Sequence, residues 1–235
     1  MIRPDALDIL MAAEIDIEGR MPWSSNATFL VNLEIDGQVE GQAIYKPARG
    51  ERPLWDFPSG LFRREVAAYR LSHALGWEVV PPTIAREGPH GEGSMQWFVQ
   101  ADFEQHYFTL HEHRPDLHDQ LIAMCAFDLL VNNTDRKGGH VLIDPDNDHI
   151  WGIDNGLCFA APFKLRTVIW EFAGKPIPEH LLVGVEMVAS SPPRTVTTLL
   201  FDDEIEALQD RAGDVLADPV FPHDPTGRRY PWPLV

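Results

Sequence analysis

Two aspartates at the edges of neighbouring apolar runs give the strongest indication of the fold of this chain. The segment from Val131 to Phe159 reads VNNTDRKGGHVLIDPDNDHIWGIDNGLCF, and Asp135 and Asp154 lie 19 positions apart within it. Two apolar runs, HVLI and IWGID, flank a Pro-Asp-Asn-Asp turn and predict a short β-hairpin. Because Asp135 precedes the first strand and Asp154 ends the second, we expect an antiparallel pair to bring both carboxylates to one rim of a cleft.

The first hundred residues predict a β-rich lobe in the order β-β-α-β-β. Residues 5–18 have apolar positions at roughly helical spacing, so we expect a short N-terminal helix before it. Residues 29–35 alternate as a strand, and the dipeptide Asp36-Gly37 indicates a tight hairpin to a second strand that ends at Lys46 and Pro47. Residues 62–75 predict an amphipathic helix closed by Gly76, and residues 77–84 and 94–100 predict two further strands.

The remainder of the chain predicts a helical lobe. We expect helices over residues 116–133, near 179–188 and near 202–216, in addition to the hairpin described above. The last 20 residues contain five prolines and predict extended chain. The fold class is therefore α+β, with a single domain over residues 1–235 that divides into a lobe of residues 1–100 and a lobe of residues 101–235.

Charge and composition narrow the possible partners. The net charge is −17, which weighs against a nucleic acid and against stable binding to an anionic membrane. A nucleotide bound with a divalent metal remains compatible, because the metal supplies local positive charge. The chain has no apolar run long enough for a transmembrane helix, its N-terminal stretch does not read as a secretory signal, and Cys125 and Cys158 lie in apolar runs. We therefore expect a cytoplasmic protein with buried free thiols.

A helix, a polar loop and a hairpin that carries a second carboxylate form a recurring device for phosphoryl transfer. The first aspartate orients or deprotonates the attacking hydroxyl, and the second holds Mg²⁺ on the phosphates. A lysine from the other lobe must then approach the phosphates, and Lys46 at the end of a strand suits this role. Glu65 on the predicted helix would hold that lysine. The small polar stretch that contains Ser25, Asn26 and Ala27 would cover the phosphates, although it lacks G-x-G-x-x-G.

Five motifs resemble those of the phosphatidylinositol 3-/4-kinase superfamily, and most of all those of type II phosphatidylinositol 4-kinases. NNTDRKGGHVLI is similar to the catalytic loop of that family, and GIDNGLCF is similar to its metal-binding motif. AIYKP, VVPPT and GSMQWFVQ resemble the strand with the ATP-binding lysine, the segment after the helix and the segment that leads into the hinge. The order holds over about residues 24–172. The chain also resembles an uncharacterised actinobacterial branch related to these kinases.

The resemblance implies a two-lobed, protein-kinase-like fold that uses ATP with Mg²⁺ or Mn²⁺. It makes Asp135 the catalytic-loop aspartate, Asp154 a metal ligand and Lys46 a phosphate ligand. It also implies that the hinge residues Trp97, Phe98 and Val99 contact adenine.

Two features depart from the family pattern. The second metal-binding asparagine of the family, five residues after the catalytic aspartate, is His140 here, which is a softer ligand than Mg²⁺ prefers. The cysteine-rich lipid-binding insertion of the family is replaced by ARGERPLWDFPSG. This replacement and the acidic composition disfavour a membrane lipid as substrate.

Several residues have more than one interpretation from the sequence alone. Arg136, grouped with Asp135 as catalytic, and Lys137 either contact the γ-phosphate or substrate or face water. Glu65 either holds Lys46 or pairs with neighbours on an exposed helix face. The function expected is ATP-dependent phosphoryl transfer to a hydroxyl of an unidentified soluble small molecule or protein. The alternatives are a nucleotide-binding pseudokinase with a regulatory role and a phosphoinositide kinase in the strict sense; AMP transfer in place of phosphate transfer also stays open.

Overall fold

The structure is a computed structural model that describes residues 2–22 and 26–235. The elements of its first part are α1 (Ala6–Ala12), β1 (Glu14–Arg20), β2 (Phe29–Ile35), β3 (Gln38–Pro47), α2 (Leu61–Ala74), β4 (Thr83–Gly88) and β5 (Gly91–Trp97). The five strands form one antiparallel sheet in the order β1-β2-β3-β5-β4.

The alternation of side chains along β2 and β3 decides which face of the sheet is buried. Val31 pairs with Ala43 across the two strands, and both side chains are fully buried. Together with Tyr45 and residues of β5 they form one core under α1. Because successive side chains of a strand point to opposite faces, Ile44 and Lys46 lie on the other face, which is turned towards the helical part. Asp36 and Gly37 both have positive φ, as the predicted two-residue hairpin requires.

Two elements predicted in this part have different bounds in the structure. The N-terminal helix ends at Ala12, and residues 14–20 form β1 instead of continuing the helix. The alternation of Ile15 and Ile17 with acidic residues, which places them opposite Leu33 and Val31, prevails over the helical spacing. The strand predicted over residues 77–84 begins only at Thr83, because the two prolines before it cannot donate a hydrogen bond to a neighbouring strand.

The second part is mostly helical. It contains α3 (Tyr107–His113), α4 (His118–Val131), β6 (Val141–Asp144), β7 (His149–Gly152), α5 (Glu179–Ser190), α6 (Arg194–Thr197) and α7 (Asp202–Ala217). The predicted hairpin is present as the pair β6–β7, and α4, α5 and α7 occupy the predicted places. The short helices α3 and α6 were not predicted. The proline-rich residues after α7 carry little regular structure, and both cysteines are free and buried.

Helix α2 lies against β4 and β5 of the sheet and also contributes apolar side chains to the core of the helical part. Its residues Ala67, Ala68, Tyr69 and Leu71 belong to the large core that α4, α5 and α7 also share. The core of the sheet forms a separate cluster. The helix that follows the β3 strand in sequence is therefore anchored to the part of the chain that carries Asp135 and Asp154. Over the described residues, no helix is long and apolar enough to cross a membrane.

Candidate active site

Lys46 links the two parts of the chain. It is the ninth residue of β3, where the strand directs its side chain away from the sheet core. Its ammonium group forms ion pairs with Glu65 Oε1 and with Asp154 Oδ1, the latter at 2.8 Å. Burial works against the charged form of Lys46, but the charges of Asp154 and Glu65 outweigh it and raise the pKa above its ordinary 10.5. The ammonium group of Lys46 is therefore protonated at neutral pH and lies where the sheet meets the β6–β7 hairpin.

Glu65 lies on α2 and is held from two sides. Its Oε1 accepts from Lys46, and its Oε2 accepts from the backbone N–H of Asn155 at 2.9 Å. The side chain is almost fully buried. This arrangement matches the first sequence interpretation, in which Glu65 holds Lys46, and not the alternative of an exposed helix face.

Asp154 follows β7 in the left-handed region of the backbone, with φ of 59°. This conformation, uncommon for a residue with a side chain, turns its carboxylate back towards Lys46. The nearby charge of Lys46 lowers the pKa of Asp154 well below its ordinary value, so the group is a carboxylate. His140 Nε2 lies 3.6 Å from the other oxygen of Asp154.

The imidazole of His140 is uncharged near neutral pH. Burial lowers the pKa of His140 from 6.5 to about 4, although the carboxylate of Asp154 opposes the shift. A neutral imidazole keeps a lone pair available for a metal. His140 and Asp154 therefore present a nitrogen and an oxygen donor side by side.

Asp135 lies on the loop between α4 and β6. Its backbone N–H donates to Asn133 Oδ1 at 3.0 Å, and its carboxylate pairs with Lys137 Nζ at 3.1 Å. Burial raises the pKa of Asp135 above 3.8, while Lys137 opposes that shift. Both side chains line the same cavity as Lys46 and Asp154.

Arg136 lies beneath the site and not in it, unlike either interpretation drawn from the sequence. Its side chain is fully buried and bonds to Asp128, which is also fully buried, at 3.0 Å. It also donates to the backbone oxygen of Ile153 and to Asn155 Oδ1, both at 2.7 Å. Arg136 thus joins α4, the loop that carries Asp135 and the residues around Asp154. Of the two neighbouring cations Arg136 and Lys137, it is Lys137 that lines the cavity.

A cavity of about 330 Å³ lies between the sheet and the β6–β7 hairpin. Its walls are mainly apolar and include the three hinge residues Trp97, Phe98 and Val99, along with Leu142 and Ile153. The indole of Trp97 packs in the sheet core, and the N–H of Phe98 is used by the backbone oxygen of Gln42. Among the described residues no acceptor takes the N–H of Val99.

A second cavity, of about 430 Å³, adjoins the first. Lys46, His140 and Asp154 line both cavities, so the two form one continuous cleft with an apolar end and a charged end. Asn26 and Ala27, two of the residues predicted to cover the phosphates, line the charged end, whereas Ser25 lies outside the described residues.

The loop before α2 supplies lining residues that the sequence did not indicate, namely Glu51, Arg52 and Leu54. No periodic pattern or motif marks these three positions. Lys137 has two interpretations from sequence alone, and its place two residues after Asp135 is the signal that favours the cavity.

The donor set at the charged end fits a divalent metal held jointly with a ligand. In the part of the chain that is described, no group of three or more His, Cys, Asp or Glu side chains converges as a complete cage. Mg²⁺ and Mn²⁺ at nucleotide sites take only one or two ligands from protein and the others from phosphate and water. Asp154 with His140 meets this requirement, and the nitrogen donor favours Mn²⁺ over Mg²⁺.

Comparison with known proteins bears on fold and family. A family model described as phosphatidylinositol 3- and 4-kinase matches residues 74–185, a range that includes Asp135 and Asp154. Protein Rv2133c of Mycobacterium tuberculosis is 38% identical over 269 residues, which cover 99% of this chain and 96% of that protein.

Two solved structures are similar in fold at low sequence identity. The structure of hydra Fam20 with sugar has a TM-score of 0.56 at 15% identity and covers 90% of this chain and 86% of its own. The Golgi casein kinase with Mn/ADP bound has a TM-score of 0.58 at 13% identity and covers 98% and 80%. The predicted two-lobed, kinase-like α+β fold is confirmed. The chain belongs to the same family as Protein Rv2133c, and its residues 74–185 are similar to the phosphatidylinositol 3- and 4-kinase domain.

Proposed function

We propose that this protein transfers a phosphoryl group from ATP to a hydroxyl of a soluble small molecule or protein. The observation that carries the proposal is the ion-paired set of Lys46, Glu65 and Asp154, with Asp135 lining the same cavity. Phosphoryl transfer needs mainly positioning and charge neutralisation. Lys46 supplies a fixed cation, and the carboxylates of Asp135 and Asp154 line the cleft beside it. The kinase-like fold and the family support a phosphotransferase in general.

ATP fits the division of the cleft into an apolar and a charged end. The adenine would lie in the cavity lined by Trp97, Phe98 and Val99 and accept from the N–H of Val99. The phosphates would then reach Lys46 at the junction, where the ammonium would exchange part of its contact with Asp154 for phosphate oxygens. The similar Golgi casein kinase structure has Mn and ADP bound, which supports the same ligand class here.

A divalent metal would neutralise phosphate charge at this end of the cleft, and Asp154 and His140 would hold it. Asp135 would accept a hydrogen bond from the acceptor hydroxyl and receive its proton. Its pKa, raised by burial, makes the carboxylate a stronger base than an exposed aspartate. Lys137 keeps Asp135 ionised and offers a second cation to the transferred phosphate.

The alternative is a nucleotide-binding pseudokinase. One observation favours it: His140 stands where the related kinases have a metal-binding asparagine, and the described residues provide one carboxylate and one imidazole in contact at the metal site. A pseudokinase would bind ATP in the same cleft and regulate a partner without transferring phosphate.

Nucleotide binding and turnover separate the two functions. Thermal unfolding with ATP and either Mg²⁺ or Mn²⁺ tests binding, and release or transfer of labelled γ-phosphate tests turnover. We expect Asp135→Asn to keep nucleotide binding and to lose turnover by roughly 100-fold or more, because it removes the base but not the phosphate ligands. We expect Lys46→Met to weaken binding as well.

Asp8→Asn is the matched control, since Asp8 is an exposed aspartate on α1. This variant should retain wild-type binding and turnover. Binding without turnover in the wild-type chain would support the pseudokinase. Equal turnover in wild type and Asp135→Asn would refute the role of Asp135, and no stabilisation by any nucleotide would refute the proposal altogether.

A further inference from the structure

Helix α2 carries another buried charged residue, Arg64, to which the function proposed above assigns no role. Arg64 precedes Glu65 and points to a different side of the helix, where only 2% of it is exposed. Its guanidinium forms an ion pair with Oε1 of Glu204 on the first turn of α7, and Glu204 is 4% exposed. We infer that Arg64 and Glu204 are positioning residues that hold α2 so that Glu65 keeps Lys46 ready for the nucleotide. This inference rests on the proposed function.

Glu204 is a fixed anchor and not a flexible surface carboxylate. Its second oxygen, Oε2, accepts from the backbone N–H of Phe201 at 3.0 Å, so the side chain also caps the start of α7. An acceptor bound to a helix terminus has little freedom to follow a moving partner. The position of Arg64 is thereby tied to the frame of α7.

Arg64 in turn depends on Glu204. Within the described residues the Nε of Arg64 has no hydrogen-bond partner. The guanidinium also makes a cation–π contact with Phe57, in which the guanidinium carbon lies 5.7 Å from the centroid of the ring. A buried cation with a single anionic partner is unfavourable in any arrangement that separates the two. Displacement of α2 from α7 would therefore be opposed by the cost of an unpaired buried charge.

The same helix is held at a second place along its length. Arg70, six residues after Arg64 on the same helix, donates to the backbone oxygen of Thr195 in α6 at 3.0 Å. The apolar side chains of α2 belong to the core of the helical lobe, as described above. Apolar packing tolerates small rotations, whereas an ion pair with a capped carboxylate fixes the rotation of α2 about its axis, and this rotation determines where Glu65 points.

Steady-state kinetics of ATP turnover with Arg64→Met and Glu204→Gln tests the inference. Glutamine keeps the acceptor for Phe201 but removes the charge. We expect each variant to raise the KM for ATP and lower kcat, with a combined loss in kcat/KM of roughly 10- to 100-fold, because the ammonium of Lys46 is displaced from the phosphates. Arg64→Lys, which retains the charge, should recover part of the loss.

A double-mutant comparison distinguishes positioning from loss of folded protein. If Arg64 acts through Glu65, the variant Glu65→Gln/Arg64→Met should lose little more activity than Glu65→Gln alone. The control is Val188→Ala, a fully buried apolar position on α5, outside the two helices that carry the pair. It lowers the free energy of unfolding but should leave the KM for ATP unchanged.

Three results would overturn the inference. One is a folded Arg64→Met variant with wild-type KM and kcat. Another is a loss in the double variant equal to the product of the single losses. If Arg64→Met does not fold, wild-type kinetics in both Arg64→Lys and Glu204→Gln would have the same meaning. A wild-type chain that neither binds nor turns over ATP would refute the proposed function and this inference together, whereas an active wild type with insensitive variants would refute this inference alone.

Discussion

The clearest quantitative consequence of the site concerns the stability of the metal-free protein in mild acid. A fall in pH protonates the imidazole of His140, whose side chain is only 15% exposed in the folded chain. Burial lowers its pKa from 6.5 in the unfolded chain to about 4 in the folded one. Between these two values the unfolded chain holds a proton on the imidazole that the folded chain does not.

The sign and size of the effect follow from this difference. Because unfolding takes up a proton, the contribution of a neutral His140 is complete above pH 6.5 and is lost as the pH falls towards 4. At about 1.4 kcal/mol per pKa unit, the shift destabilises the folded state by roughly 2 to 3 kcal/mol at pH 4.5 relative to pH 7.5. A loss of this size is a large fraction of the stability of an ordinary domain.

Urea unfolding in the presence of a chelator measures this loss. The seven tryptophans provide a fluorescence signal, and the experiment compares wild type with His140→Asn over pH 4.5 to 7.5. Asparagine does not titrate, so the difference between the two unfolding free energies isolates His140 from other groups. We expect wild type to lose roughly 2 to 3 kcal/mol more than the variant as the pH falls.

A variant at an exposed histidine, His113→Asn, serves as the control and should follow wild type across the range. A difference between wild type and His140→Asn that does not change with pH would show that the pKa of His140 is the same in the folded and unfolded chains. A wild-type protein that becomes more stable relative to this variant in acid would contradict the sign.

Three other predictions rest on separate contacts. Arg136→Met should lower the free energy of unfolding by about 3 to 5 kcal/mol, because it leaves the carboxylate of Asp128 buried without its partner; urea unfolding measures it. Gly41→Ala should cost about 1 to 3 kcal/mol by the same assay, since the added Cβ would lie 2.4 Å from the indole of Trp97. ATP turnover should be faster with Mn²⁺ than with Mg²⁺, and His140→Asn should raise the activity with Mg²⁺ relative to Mn²⁺, because an amide oxygen is the harder ligand.

Each of these has a matched control. Arg63→Met removes an exposed arginine of α2 and should change the unfolding free energy by less than about 0.5 kcal/mol. Gly19→Ala places its Cβ where no other atom lies within 4 Å and should be tolerated. Equal stability of Arg136→Met and Arg63→Met, or equal cost of the two glycine substitutions, would contradict the packing at these positions. A metal preference that does not change in His140→Asn would remove His140 from the metal site.

Local patterns determined much of the fold. Local sequence predicts several elements, because each is determined by residues only a few positions apart. These elements are the alternating strand β2, the Asp36-Gly37 turn and the apolar faces of α4 and α7. The same patterns led to the hairpin between Asp135 and Asp154. Where two periodicities competed, as at Ile15, the sequence alone favoured the wrong element, because pairing with a distant strand decided the outcome.

Local motifs such as NNTDRKGG and IDNG specify which residue types the site holds and the order in which the chain supplies them. Tertiary packing selects which of these side chains face the cleft. It directed Lys137 into the cavity and buried its neighbour Arg136 against Asp128, a residue eight positions away on α4. It also joined Lys46 to Asp154, 108 positions later, and Arg64 to Glu204, 140 positions later. These contacts depend on how helices and sheet pack, because the direction of a side chain is fixed by burial and charge pairing across the fold and not by its neighbours in sequence.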